Sequence, residues 1–237
     1  MKNIKEGQDT TMVGLPCGFG YFPWETVQAL LQMKKTMPCM MAVIPRQRVD
    51  KARNFLVQQA LESGATYLLF IDDDNPPPAD TMEHFSQSMS RDDVDIVCAP
   101  ILSRNANKEG FRDLCMFKKN EVEEKGGINN YTFLKKIDVS SGHLVEVDGC
   151  GMGVTMIKRK VLEKLWKEHE GMPFEFGDST LVYDKKDMNK QRRTMSEDME
   201  FSERATNAGF RIWCDTRVRP VHLGDPKQFI FSDNYTS

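Results

Sequence analysis

The chain has 237 residues, 40% of them hydrophobic, which is enough for one sizeable core and short for two. Its formal net charge is -3, and lysine and arginine are interspersed with acidic residues, which excludes a typical nucleic-acid-binding surface. The six cysteines form no CxxC pair, as expected for reduced core thiols of a cytoplasmic protein. We expect neither secretion nor membrane integration, because no apolar run has signal-peptide or membrane-spanning length.

Apolar strands and helical spacings alternate from the start of the chain, a rhythm typical of a doubly wound α/β domain. Residues 1–10 are predicted to form a flexible tail, and residues 11–237 a single domain. Within that domain, segment 103–140 is predicted to insert antiparallel hairpins, and the aperiodic segment 170–195 to form a flexible flap. The predicted strands are Met12–Pro16, Cys39–Ile44, Tyr67–Ile71, Asp95–Ile101, Leu144–Val147, Val154–Ile157 and Arg211–Cys214; the predicted helices are Trp24–Met33, Asp50–Ser63, Ala79–Ser90, Arg159–Trp166 and one that opens at Ser196 and ends at Gly209.

The spacing of apolar residues also predicts which helical side chains face the core. Gly64 is predicted to end the second helix. The side chains predicted to point inward are Val27, Leu30 and Leu31 in the first helix and Phe55, Leu56, Gln59 and Ala60 in the second.

A run of three carboxylates follows the third predicted strand. Tyr67–Ile71 is apolar throughout, which predicts a strand buried on both faces, and it ends in Asp72, Asp73 and Asp74. Three acids at the carboxyl end of a central strand repel one another unless a cation lies among them, so a divalent metal is predicted. Alternation puts Asp72 and Asp74 on the same side, although Asp73 with Asp74 remains an alternative pair. A plain acidic turn in water is the simpler interpretation.

The order of four features resembles the GT-A fold of nucleotide-sugar glycosyltransferases, especially the glycosyltransferase family 2 type. Phe70–Asp74 is similar to the DxD motif of that family, and Gly149–Val154 is similar to its glycine-rich acceptor-side segment. Ser196–Asp198 is similar to its Glu-Asp motif, and His222 to its late histidine. The resemblance extends from Val13 to Gly224 and implies a three-layer α/β/α sandwich with a mostly parallel central sheet.

This resemblance implies a metal-dependent transfer of a sugar from a nucleotide-diphosphate sugar, with a UDP-sugar favoured and a GDP-sugar as the alternative. The acceptor would be a hydroxyl of a carbohydrate, of a lipid-linked molecule or of another compound. The implied metal ligands are Asp72, Asp74 and His222, which hold Mn²⁺ or Mg²⁺; the imidazole favours Mn²⁺. By the same analogy, Asp72 contacts the ribose and Asp74 is the direct ligand.

Asp198 is the implied catalytic base, and Glu197 is expected to orient the acceptor or its loop. A base placed across the sugar from the leaving group predicts inversion at the anomeric carbon. We expect Asp198 to be ionised at neutral pH, because it lies near a helix amino terminus. The simpler interpretation is that Ser196, Glu197 and Asp198 only cap a helix.

Further residues are expected to contact the donor or the acceptor. Arg46 or Arg53 would pair with the diphosphate, unless both are surface charges. The glycines at 149–153 would allow close backbone approach, or would form only a bulge. The basic residues of the predicted flap are expected to become ordered on donor binding, unless they are a solvated charge run. The expected donor-binding and acceptor-binding residues are Pro16, Arg46, Asp50, Arg53, Asn54, Asp72, Asp73, Asp148 and Gly151; the basic residues of the flap are Lys185, Lys186, Lys190, Arg192 and Arg193.

Two other classes of function remain open. A metal-dependent nucleotidyltransferase has similar needs, but it usually carries a basic residue in the loop after the first strand. Segment Cys17–Pro23 has glycines and no lysine or arginine, which argues against that class. The other class is a non-catalytic protein that binds nucleotide sugars. Association into a homo-oligomer is left open.

Overall fold

The structure is a computed structural model that describes residues 7–18, 20–103, 112–119, 131–140, 142–176, 196–223 and 235–236. The predicted flap therefore lies outside the described residues from position 177 onward, and so do its five basic residues. Parts of the predicted hairpin insertion also fall outside them. Within the described part of the chain, no helix is both long and apolar enough to cross a membrane.

A seven-stranded mixed sheet forms the centre of the fold, in the order β2-β1-β3-β10-β4-β11-β8. Strands β1, β2, β3, β4 and β11 run in one direction, and β10 and β8 run against them. The sheet is therefore mostly parallel, as the sequence predicts. Its strands are β1 (Thr11–Cys17), β2 (Cys39–Pro45), β3 (Tyr67–Ile71), β4 (Ile96–Cys98), β8 (Leu144–Val147), β10 (Val154–Lys158) and β11 (Ile212–Asp215).

Two small sheets accompany the central one. Segment 103–140 contributes an antiparallel pair, β5 with β6, and β9 extends it to three strands. A short parallel pair joins β7 to β12. These strands are β5 (Met116–Lys119), β6 (Tyr131–Phe133), β7 (Ile137–Asp138), β9 (Gly149–Cys150) and β12 (Tyr235–Thr236).

Helices cover both faces of the central sheet. Side chains of a strand alternate between faces, so Leu68 packs in one apolar cluster and Leu69 in the other. The cluster around Leu68 includes residues of α2, α4 and α5, and the cluster around Leu69 includes residues of α1 and α3. This arrangement is the three-layer α/β/α sandwich that the resemblance implies. The helices are α1 (Trp24–Gln32), α2 (Val49–Ser63), α3 (Thr81–Met89), α4 (Arg159–Glu168) and α5 (Glu197–Asn207).

The predicted helix ends are confirmed at α2 and α5. Gly64 follows α2 with a φ of 75°, a left-handed conformation that glycine adopts without strain. Ser196 precedes α5, and its hydroxyl accepts a hydrogen bond from the Met199 amide at 3.4 Å. This bond satisfies one of the free amides at the helix start. The capping interpretation of Ser196 is therefore correct.

Some predicted inward side chains are wrong. Leu31 is 75% exposed, Phe55 is 48% exposed and Gln59 is also exposed. The face of α2 that is buried is rotated slightly from the predicted face. It contains a charged residue, Arg53, which the spacing of apolar residues does not predict. The predicted tail is also too long by at least one residue: Thr10 is buried, and its carbonyl accepts hydrogen bonds from the backbone amides of residues 66 and 67.

Candidate active site

A cleft of about 220 Å³ opens at the carboxyl ends of β1 and β3. In a doubly wound sheet this edge is where ligands bind, because loops from neighbouring parallel strands meet there. The predicted residues Pro16, Asp72, Asp73 and Asp74 all line this cleft. Residues that the sequence analysis did not single out complete the lining: Gly18, Gln47 and Val49.

The three carboxylates after β3 face three different partners. Asp72 accepts hydrogen bonds from Arg53, at 3.0 Å and 3.1 Å. Asp73 accepts a hydrogen bond from the Gly18 amide at 3.1 Å, which ties the loop after β1 to the acidic loop. Asp74 lies beside His222. The run is therefore a set of separate contacts and not a single chelating cluster.

Asp74 and His222 approach each other across 147 intervening residues. The Asp74 Oδ2 atom lies 3.3 Å from the His222 Nε2 atom, and both side chains are largely buried. The side-chain Nδ2 atom of Asn75 donates to the Asp74 Oδ1 atom at 2.9 Å and fixes the orientation of the carboxylate. The Leu102 carbonyl lies 2.6 Å from the His222 Nδ1 atom and can only accept, so Nδ1 carries the hydrogen. In the neutral form of the ring, Nε2 carries the lone pair and faces Asp74.

Two acceptors 3.3 Å apart form a suitable pair of ligands for a cation. A carboxylate oxygen with an imidazole nitrogen fits Mn²⁺ better than Mg²⁺. Within the described ranges, no group of three or more histidine, cysteine, aspartate or glutamate side chains could hold a metal ion. The predicted set of three ligands stays a prediction: both oxygens of Asp72 accept hydrogen bonds from Arg53, and Asp74 and His222 lie side by side.

Arg53 lies at the centre of an acidic cluster. Its side chain is 1% exposed, and its Nε atom lies 3.7 Å from Glu197 Oε1 and 3.4 Å from Asp198 Oδ1. Burial acts to lower the pKa of the guanidinium, but Asp72, Asp198 and Glu197 outweigh it and raise that pKa. Arg53 is therefore cationic and enclosed. The expectation that it pairs with a diphosphate is corrected, because a buried guanidinium with three carboxylate neighbours has no surface for a phosphate.

Asp198 is positioned from two sides. Its Oδ1 faces Arg53, and its Oδ2 accepts a hydrogen bond from the Met152 amide at 3.3 Å. Burial raises the pKa of this carboxyl well above its ordinary value; Arg53 opposes the rise, and Glu197 and Asp72 add to it. Burial and the two neighbouring acids therefore oppose the ionisation that the sequence analysis expects from the helix amino terminus.

The glycine-rich segment runs between the two acidic motifs. The Gly153 carbonyl accepts a hydrogen bond from the Asp72 amide at 2.8 Å. A Cβ on Gly153 would lie 2.0 Å from the Asn75 Oδ1 atom, so any larger residue at this position would displace the Asn75 side chain. A Cβ on Gly151 would lie 3.8 Å from the Asp198 Oδ2 atom. The segment therefore packs closely against both acidic motifs. The predicted approach of the acceptor or the donor sugar to these glycines stays a prediction.

Several expected donor or acceptor contacts are occupied by other partners. Asp50 is buried and accepts two hydrogen bonds from Arg48, at 2.6 Å and 2.5 Å. Asn54 exchanges two hydrogen bonds with the backbone of Phe174, at 2.8 Å and 2.9 Å. Asp148 accepts a hydrogen bond from the Lys119 amide at 2.7 Å. These side chains stabilise neighbouring loops, and no contact of theirs points to the cleft.

Arg46 remains the exposed arginine beside the cleft, next to Gln47. It has a φ of 55°, which is strained for a residue with a side chain. Its side chain packs over the loop after β1, where a Cβ on Gly20 would be 2.6 Å from the Arg46 Nε atom. Strained residues of this kind cluster at ligand-binding sites, and the positive φ was not visible in the sequence.

All six cysteines are free thiols, and Cys17, Cys98, Cys150 and Cys214 are buried. Burial, with a contribution from nearby Asp198, raises the pKa of Cys115 to about 12. Thiols in such surroundings remain protonated and are poor nucleophiles. Their prediction as core thiols is confirmed for five of the six, which lie in or against the apolar clusters; Cys17 is buried outside both clusters.

No protein-family model matches the sequence, and no curated protein has a similar sequence. Solved structures do match. A197 from STIV has a TM-score of 0.56 at 18% sequence identity, with 97% of both chains covered. GalNAc-T7, solved with UDP, GalNAc and Mn²⁺, has a TM-score of 0.52 at 11% identity, with 93% of this chain and 44% of that chain covered. At these identities the likeness concerns the fold, and the mixed α/β fold is that of the GT-A glycosyltransferases.

Proposed function

We propose that this protein is a metal-dependent glycosyltransferase that moves a sugar from a nucleotide-diphosphate sugar to an acceptor hydroxyl with inversion. UDP-sugars are the favoured donors, because a neighbour of the same fold was solved with UDP and Mn²⁺. GDP-sugars are the second choice. The acceptor class is a carbohydrate, a lipid-linked molecule or another hydroxyl compound.

One observation carries this proposal: residues from three distant segments meet at one edge of the sheet. Asp72–Asp74 follows β3, Glu197 and Asp198 open α5, and His222 lies beyond β11. Arg53 joins the first two segments, and the Asp74–His222 contact joins the first to the third. An acidic turn with only a structural role would not require these three segments to meet. A donor site that lies next to an acceptor base requires it.

The cleft is the proposed donor site. Asp74 and His222 would hold Mn²⁺, which when bound stabilises negative charge on the departing diphosphate. Arg46, exposed at the rim, is the remaining candidate from the sequence analysis for contact with the diphosphate. Pro16, Gly18, Gln47 and Val49 would enclose the nucleoside through their backbone and side chains. Asp73 would act indirectly, because its bond to Gly18 fixes the loop that lines the same cleft.

Asp198 is the proposed base. The acceptor oxygen would attack the anomeric carbon as the bond to the diphosphate breaks, Asp198 would take the hydroxyl proton, and the nucleoside diphosphate would leave with the electron pair. The raised pKa of Asp198 suits proton uptake, because a carboxylate that holds a proton more tightly is a stronger base. Glu197 is 7% exposed at its side chain and contributes negative charge beside Asp198.

The direct test is release of nucleoside diphosphate from a panel of UDP-sugars and GDP-sugars. We expect release with Mn²⁺, loss of it with EDTA, and a loss of at least about a hundredfold in Asp74→Ala, since a metal ligand is removed. Glu163→Gln, at an exposed ion pair on α4, is the matched control and should keep full activity. Release of pyrophosphate instead would identify a nucleotidyltransferase. Donor binding without turnover would identify a non-catalytic binder.

The stereochemical part of the proposal has its own test. NMR of the product at the anomeric position should show inverted configuration when an acceptor is found. Retention of configuration would contradict the role of Asp198 as a base that acts directly on the acceptor.

A further inference from the structure

Arg53 is the residue through which the two acidic motifs contact each other. Its Nη1 and Nη2 atoms bind both oxygens of Asp72, and its Nε atom faces Glu197 and Asp198. Asp72 ends β3, and the other two acids start α5, so one side chain joins segments that are more than 120 residues apart. A planar guanidinium can contact carboxylates in two directions at once, whereas a lysine ammonium lacks this fixed geometry.

The guanidinium is held rigidly. It extends from the buried stripe of α2, next to Ala52 and Leu56. Its Cζ atom lies 5.3 Å from the centre of the Phe70 ring and 6.0 Å from that of Phe174. Packing against two rings and binding in two directions leave the side chain little freedom, so the position of Arg53 determines how Asp198 lies relative to Asp72.

The cluster also carries more negative than positive charge. Three carboxylates share one guanidinium, and within the described residues neither Arg53 Nε nor Asp198 Oδ1 makes a hydrogen bond, although both are buried. A purely structural cluster would gain from complete hydrogen bonding. In the Arg53 cluster, the positive charge of Arg53 orients the Asp198 Oδ1 atom without a hydrogen bond. This oxygen therefore remains able to accept a proton.

We infer that Arg53 is a positioning residue that aligns the base Asp198 with the donor-side carboxylate Asp72, so that proton removal and departure of the diphosphate occur in one geometry. This inference rests on the proposed function and deepens it. It gives a residue of α2 a role in catalysis, which the sequences of the two acidic motifs do not indicate. Arg53 acts through Asp198 and does not touch the acceptor.

The test compares Arg53→Lys with Arg204→Lys. Arg204 is the matched control: it is also largely buried, and it binds Glu200 and Glu175 at 3.1 Å and 3.0 Å. In the part of the chain that the structure describes, it contacts neither Asp72 nor Asp198. For Arg53→Lys we expect kcat for nucleoside-diphosphate release to fall about a hundredfold, because misplacement of a catalytic group by about 1 Å has that effect. Mn²⁺ affinity in the presence of UDP, measured by EPR, should change less than threefold, since Asp74 and His222 do not contact Arg53. Arg204→Lys should change neither quantity.

A second variant separates geometry from charge and covers the case in which Arg53→Lys does not fold. The double variant Arg53→Gln/Glu197→Gln removes one positive and one negative charge, so the net charge of the cluster is unchanged. Its melting temperature should therefore approach that of the wild type, while kcat stays low. Wild-type kcat in either variant would overturn the inference, and so would a parallel loss of kcat and Mn²⁺ affinity. Failure of the wild-type protein to release nucleoside diphosphate would instead overturn the proposed function itself.

Discussion

Two buried arginine–aspartate clusters in this fold differ in how completely they are satisfied. Asp215, at the end of β11, is fully buried, and each of its oxygens accepts two hydrogen bonds from Arg217 or Ser88. The Arg53 cluster has three acids for one arginine, and Asp198 Oδ1 lacks a hydrogen bond within the described residues. Balanced charge with complete hydrogen bonding stabilises this fold, whereas excess negative charge lies at the edge of the sheet where chemistry is proposed.

The largest expected effect is on activity at the unbalanced cluster. Asp198→Asn should lower kcat about a thousandfold, because it removes the general base. It should also raise the melting temperature at neutral pH, because it removes one of three mutually repelling carboxylates. Thermal unfolding and diphosphate release on the same preparation check both parts. A less stable Asp198→Asn protein would contradict the difference between the clusters.

At the balanced cluster, the expected effect is on stability alone. Asp215→Ala should lower the free energy of unfolding by about 3 kcal/mol, because it removes a fully bonded carboxylate and leaves Arg217 without its partner. Per folded molecule, kcat should be unchanged. Urea unfolding measures the free energy of unfolding, and an assay at low temperature measures kcat. A large loss of kcat with unchanged stability would reverse the assignment of the two clusters.

A smaller effect is expected where the glycine-rich segment meets the acidic loop. Gly153→Ala would place a Cβ against Asn75, which orients Asp74. We expect Mn²⁺ affinity in the presence of UDP to fall about tenfold, the usual effect of disturbing a group that orients a metal ligand. EPR measures this affinity, and circular dichroism confirms that the variant is folded. Unchanged affinity would show that Asn75 does not orient Asp74.

The pH dependence should reveal the raised pKa of Asp198. Because the base must be deprotonated, kcat should rise with pH by about tenfold per unit below that pKa, and the rise should extend above the ordinary range of aspartate. The free energy of unfolding should instead fall as the pH rises. A carboxyl whose pKa is raised in the folded state contributes most at low pH, and this contribution is lost as pH rises through the folded pKa. Asp198→Asn should abolish this decline in stability. A wild-type protein whose stability does not change with pH would contradict the raised pKa of Asp198.

The sequence predicted the strand and helix order well because periodicity and end signals are local. Tyr67–Ile71 is buried throughout, and Gly64 and Ser196 mark helix ends as predicted. The proximity of Asp74 and His222 came only from the resemblance, since no local signal joins residues so distant in sequence. The predicted pairing of Arg53 with a diphosphate is wrong because the apolar spacing of α2 does not reveal a charged residue in its buried stripe. Only tertiary packing shows that Arg53 is buried and that Asn54 bonds the backbone of Phe174.

The central claim is that the Asp74–His222 pair forms a metal site that works together with a bound nucleotide diphosphate. EPR titration of Mn²⁺ with and without UDP tests it most directly, on the wild-type protein and on Asp74→Asn and His222→Ala. UDP should strengthen Mn²⁺ binding to the wild type, and each substitution should weaken that binding by at least about tenfold. Mn²⁺ binding that is absent, indifferent to UDP, or equal in all three proteins would contradict it.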